Sequence, residues 1–337
     1  MIKKQSITRR VLATLLFLFV SISGVSRAED IINHTLRLKS AMVHVNHQAD
    51  FSIANRDLLV WTEARLRAVE EWYGRFPVNE LYLMINIHSG SGIGQGLTLG
   101  GSSPSINISL GNTTSMGEMR DDWVLVHELV HLALPDLHER HRWLEEGVST
   151  YVEPHLRLQA NMIDKEALWK WFMRGLPEGL PGPRDKGLDY TPTWGRTYWG
   201  GALFCFLADM EIRRVTDNQR SLRNALLGVL SAGGNITQSW PIRRVLMQGD
   251  EAVGQAVLLP LYEDMRARPV KIDLATIWEQ LGLELRQGEL VYHDDAPLAW
   301  LRDAMTATIG ENKQGKGSAP TPDRPSREIS RANVMRR

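Results

Sequence analysis

The segment His127-Glu128-Leu129-Val130-His131 sets two imidazoles four residues apart, with a carboxylate beside the first. On a helix, positions i and i+4 share a face, so both rings can close on one divalent ion. Zinc suits such nitrogen donors. Glu128 can then reach a water on that ion and take its proton, which is the chemistry of hydrolysis. Val124, Leu125, Leu129, Val130 and Leu134 are apolar, as a helix buried around a polar site requires. A catalytic zinc takes a third protein ligand and keeps its fourth position open. His138 and His141 follow soon after, but Pro135 stops the helix before them, and both are read as exposed loop residues. The better donor lies in Trp143-Leu144-Glu145-Glu146-Gly147-Val148-Ser149-Thr150-Tyr151, expected on the next, antiparallel helix. Glu145 and Glu146 differ by about 100° around a helix axis, so only one can face the imidazoles. Spacing does not choose between them.

These side chains need a frame. Residues 35–45 alternate as a half-buried strand, 54–75 form an amphipathic helix, and 81–87 read as a buried strand. Residues 106–110 alternate again and are the candidate edge for pairing with an extended substrate. Gly92-Ile93-Gly94-Gln95-Gly96 lacks the order of a nucleotide-binding loop and reads as a turn between strands. From Asp121 onward the patterns turn helical: 123–134, 143–158, 197–214, 221–230 and 273–281, with a hairpin over 283–292 around Gln287-Gly288. Residues 175–196 are a Pro/Gly-rich excursion. The expected fold class is α+β: a mixed sheet in residues 29–115, then a helical half in 116–310, with the cleft between them.

Composition narrows the function. The chain has 337 residues, 43% of them apolar, and 39 basic against 39 acidic side chains. Residues 1–28 hold five basic residues and no acid, and include an uncharged run over 11–25 that is short for a spanning helix. They read as a signal peptide, which implies an exported, periplasmic or secreted protein with no membrane contact after cleavage. A retained anchor, making the chain a tethered structural protein, is the alternative. The remainder carries 34 basic and 39 acidic residues, a poor balance for nucleic acid. Cys205, the single cysteine, sits in an apolar run and reads as a small buried hydrophobe. Residues 311–337 have no apolar period and read as a disordered tail.

The pair HELVH, 127–131, and WLEEGVSTYVE, 143–153, resembles the gluzincin metallopeptidases, whose second helix supplies the zinc-binding glutamate from a W-L-x-E-G segment. That match assigns the third ligand to Glu146. Thr197-Tyr198-Trp199-Gly200-Gly201-Ala202-Leu203 resembles the Y-x-K-G-A-L segment of the alanyl and glycyl aminopeptidase families, and 207–226 is closer to the glycyl family. The resemblance implies a thermolysin-like catalytic domain with one zinc on His127, His131 and Glu146. It also implies Glu128 as acid and base, Tyr198 as a donor to the oxyanion, and a peptide or protein substrate. Two departures stand out. The families' lysine is Gly200 here, and Gly100-Gly101 is followed by Ser102-Ser103-Pro104, without the acid that grips a substrate's amino terminus. Exo- and endopeptidase therefore both stay open. So does a zinc-stabilised peptide-binding protein of the same fold without turnover.

Overall fold

The computed structural model describes residues 31–48 and 53–310, together with the backbone of 335–336. The signal-peptide reading of 1–28 and the tail reading of 311–334 lie outside the described residues. The sheet begins with β1 (Ile31–Arg37) and β2 (Met42–Gln48), an antiparallel hairpin where a single strand over 35–45 is expected. The alternation runs through a tight turn, in which the Leu38 amide donates to the Ala41 carbonyl. Ser40 fixes that turn by donating its amide and hydroxyl to Glu70 Oε1, at 3.0 and 3.1 Å. Helix α1 (Asn55–Tyr73) follows and buries Leu58, Trp61, Leu66 and Val69, the stripe its spacing predicts. Gly74, at φ 74°, ends it in the left-handed conformation that glycine adopts without strain.

β3 (Glu80–His88), β4 (Ile93–Leu99) and β5 (Ser105–Gly111) complete a sheet ordered β1-β2-β3-β5-β4. The β2–β3 and β3–β5 pairs are parallel, and β1–β2 and β4–β5 are antiparallel, so the sheet is mixed as expected. Two readings are corrected. β5 is internal, so residues 106–110 are not an edge; among the described residues the edges are β1 and β4, and β4 contains most of the glycine run expected as a turn. Glycine is a poor strand former, and that misleads pattern reading. Here it is required by close approach: a Cβ on Gly96 would stand 2.4 Å from Glu128 Cγ, and one on Gly94 2.3 Å from Ser109 Oγ.

The helical half holds α2 (Met116–Asp121), α3 (Val124–His131), α4 (Arg142–Gln159), α5 (Lys165–Gly175), α6 (Gly201–Val215), α7 (Leu222–Ser231), α8 (Ile242–Val253), α9 (Leu258–Met265), α10 (Leu274–Leu281) and α11 (Ala299–Met305). Helices α2, α5, α8, α9 and α11 lie where no element is expected. The hairpin around Gln287-Gly288 is present. Among the described residues, no helix is long and apolar enough to cross a membrane. Cys205 is buried in α6. The excursion over 175–196 is ordered. Asp189 accepts from Trp143 Nε1 and from the Tyr262 hydroxyl, each at 2.9 Å, and Arg196 pairs with Asp185 at 2.7 Å.

Helices α4 and α6 touch backbone to backbone at Gly147 and Gly201. A Cβ on Gly147 would come within 2.3 Å of the Gly201 main chain. Helix propensity alone favours alanine over glycine by about 1 kcal/mol. The contact opposes it, because the obstacle is main chain and cannot turn aside. Gly147→Ala is therefore expected to lower unfolding free energy by about 2–3 kcal/mol, read from denaturant melts. A variant as stable as the parent would show that the helices separate freely.

Candidate metal centre

Helix α3 carries His127, Glu128 and His131, and α4 carries Glu146. His127, Glu128 and Glu146 are buried, and His131 is partly so. His127 Nε2 lies 3.3 Å and His131 Nε2 3.5 Å from the same oxygen, Glu146 Oε2. The donor atoms of these three residues all fall within 4.8 Å of one another. For zinc at about 2.0–2.1 Å from each ligand, the edge of a tetrahedron is about 3.3–3.4 Å. The two imidazole–carboxylate separations match that edge. They are long for charge-assisted hydrogen bonds, which run at about 2.7–2.9 Å. Two neutral-capable nitrogens and one carboxylate oxygen form a His2Glu donor set, and the residues fit a zinc ion.

The ambiguity between the adjacent glutamates is resolved by direction. Glu146 faces the imidazoles with Oε2, and its Oε1 accepts from Arg142 Nε at 3.1 Å. Glu145 turns away and accepts the Leu137 amide at 2.8 Å, pinning the loop between the two helices. Burial pushes the Glu145 carboxyl up to about 7. Burial would raise Glu146 as well, but the two imidazoles outweigh it and hold that carboxyl well below the usual range. Burial lowers His127, whereas at His131 the pull of Glu146 exceeds the cost of burial and raises it.

Glu128 is held from the sheet. The Thr98 hydroxyl on β4 is 2.6 Å from Glu128 Oε2 and 2.9 Å from the Glu128 carbonyl oxygen. Only glycine at 96 leaves room for that carboxylate. Tyr198 lies in a single π-helical turn (Arg196–Gly200) leading into α6. Its ring stacks at 6.2 Å on the His127 ring, with Trp194 at 5.9 Å beyond it. Burial, then the Glu146 carboxylate, raise the Tyr198 phenol above its ordinary value, so it stays protonated and able to donate.

The structure thus brings His127, His131 and Glu146 together, stacks the Tyr198 ring on His127 and bonds Glu128 to Thr98. Of the two histidines read as exposed, His138 is exposed, but His141 is largely covered and its Nδ1 lies 3.1 Å from Asp189 Oδ1. Thr98, Gly96 and Arg142 are neighbours not anticipated. Only Arg142 has a sequence signal, since it precedes Glu146 by one helical turn. A separate cavity of about 770 Å³ opens against Trp72, Tyr151, His155 and Asp209, and none of the metal-group residues lines it. His155 is nine residues from Glu146, which places it on the opposite face of α4.

No family model matches the sequence, and no curated protein matches it. Among solved structures, the chain is similar to an aminopeptidase N family protein from Idiomarina loihiensis, with a TM-score of 0.58 and 12% identity over 76% of this chain. It is also similar to an M1 zinc metallopeptidase from Deinococcus radiodurans, with a TM-score of 0.45 and 17% identity over 70% of this chain. The chain spans about half of each, 50% and 52% of their lengths. The first likeness carries the backbone arrangement. The mixed sheet and helical half form an α+β fold, the class expected from the sequence, and share their backbone arrangement with that aminopeptidase N family structure.

Proposed function

We propose that this protein is a zinc-dependent peptidase. The observation that carries the reading is the convergence of His127, His131 and Glu146 on one point, with Glu128 held beside it by Thr98. Zinc bound there would supply a Lewis acid that polarises the scissile carbonyl and makes water more acidic. Glu128 accepts a proton from the attacking water and returns it to the departing amine. Tyr198 donates its hydroxyl to the carbonyl oxygen as charge develops there. The free edge of β4 offers main-chain groups to an extended peptide. The leader over 1–28 supports export.

The test is a product map from a peptide mixture digested with zinc-loaded protein. Cleavage that stops on chelation and returns with zinc is expected. Full zinc occupancy without any product would favour the binding-protein reading and overturn this one. Tyr198→Phe should reduce turnover by about 10²–10³-fold, the usual loss on removing an oxyanion donor, with zinc content unchanged. Near-parental turnover would remove Tyr198 from the mechanism.

A further inference from the structure

Arg142 occupies an unusual position. Its Nε donates to Glu146 Oε1, yet its side chain remains 61% exposed. A guanidinium has five N–H donors, and this bond uses one. Among the described residues the terminal nitrogens have no partner. The bond to Glu146 fixes where the fork sits, so little further freedom is lost when it meets a ligand.

The surrounding charges decide what that ligand is. Glu128 is engaged by Thr98, Glu146 faces two imidazoles and Arg142 itself, and Glu145 is turned to the Leu137 amide. Strand β4, Ile93-Gly94-Gln95-Gly96-Leu97-Thr98-Leu99, carries no charged side chain. Among these described residues the centre therefore presents an exposed cation whose terminal nitrogens are unused, while each of the three carboxylates already has a partner. Arg142 bonds Glu146 and the Tyr198 ring stacks on His127, so both side chains border the metal group.

We propose that Arg142 is a specificity-determining residue that receives a substrate carboxylate close to the bond cleaved. An acidic side chain and a free carboxy terminus share that chemistry. The inference rests on the peptidase reading for its biological sense, but it can be tested by binding alone. The probes are three blocked pentapeptides: all-alanine with a terminal amide, the same with a central aspartate, and all-alanine with a free carboxy terminus. Each is titrated calorimetrically into zinc-loaded Glu128→Gln protein.

At least one carboxylate peptide should bind about tenfold more tightly than the neutral one, the usual scale of a hydrogen bond to a charged group. Which one it is identifies the source. Arg142→Gln should erase the preference, and Arg142→Lys should restore part of it, with zinc content constant in both. Three equal affinities, or no binding by any peptide, would overturn the inference. So would an Arg142→Gln protein that weakens all three alike, because the residue would then act only through Glu146. A carboxylate preference without turnover by the parent protein would sink the peptidase reading alone. Turnover without preference would sink this inference alone.

Discussion

Replacing Glu128 by glutamine is expected to reduce turnover by about 10⁴-fold, the upper end for loss of a general acid and base. Glutamine has the same shape, fits the space that Gly96 leaves open, and can still accept the Thr98 hydroxyl through its amide oxygen. What it cannot do is take a proton from water. The three metal-group residues are untouched, so zinc content should equal that of the parent. Single-turnover assays on any cleaved peptide, with zinc measured by atomic emission, check both halves. A variant within a few-fold of the parent would remove Glu128 from the mechanism, and lost zinc would mean that it serves the metal instead.

The second large effect separates two neighbours. Glu146→Ala should lower zinc affinity by more than about 100-fold, because even loss of a ligand's supporting hydrogen bond costs about 10–100-fold. It also leaves Arg142 without its partner. Glu145→Gln should keep zinc binding near parental values, since Glu145 bonds the Leu137 amide and not the imidazoles. Competition with a chromophoric chelator reads both variants. Zinc loss in Glu145→Gln with retention in Glu146→Ala would reverse the assignment.

The metal group was legible because its determinants are local. The i, i+4 spacing of His127 and His131 is a helix property, and a carboxylate on the following helix is close in sequence. The choice of Glu146 over Glu145 was not readable from spacing, because it depends on how α4 is rotated, and that rotation is set by the Gly147–Gly201 contact with α6. Thr98 reaches Glu128 across 30 residues, and nothing at either position announces the pairing. The edge strand was misread for a related reason. Two of the glycines that weaken a strand pattern over 92–96 answer close approaches, Gly96 to Glu128 of α3 and Gly94 to Ser109 of β5, tertiary demands that local propensity does not contain. His141 was misplaced likewise, since its partner Asp189 comes from the Pro/Gly-rich excursion. The apolar residues Ile242, Val245, Leu246 and Val253 of α8 do recur at helical spacing, so that element was within reach of periodicity.

The central claim is that His127, His131 and Glu146 hold one zinc ion. Crystals of zinc-loaded protein measured across the zinc absorption edge test it most directly. One anomalous peak is expected, about 2.0–2.2 Å from His127 Nε2, His131 Nε2 and Glu146 Oε2. A peak elsewhere, or Glu146 turned away from the imidazole pair at full zinc occupancy, would contradict it.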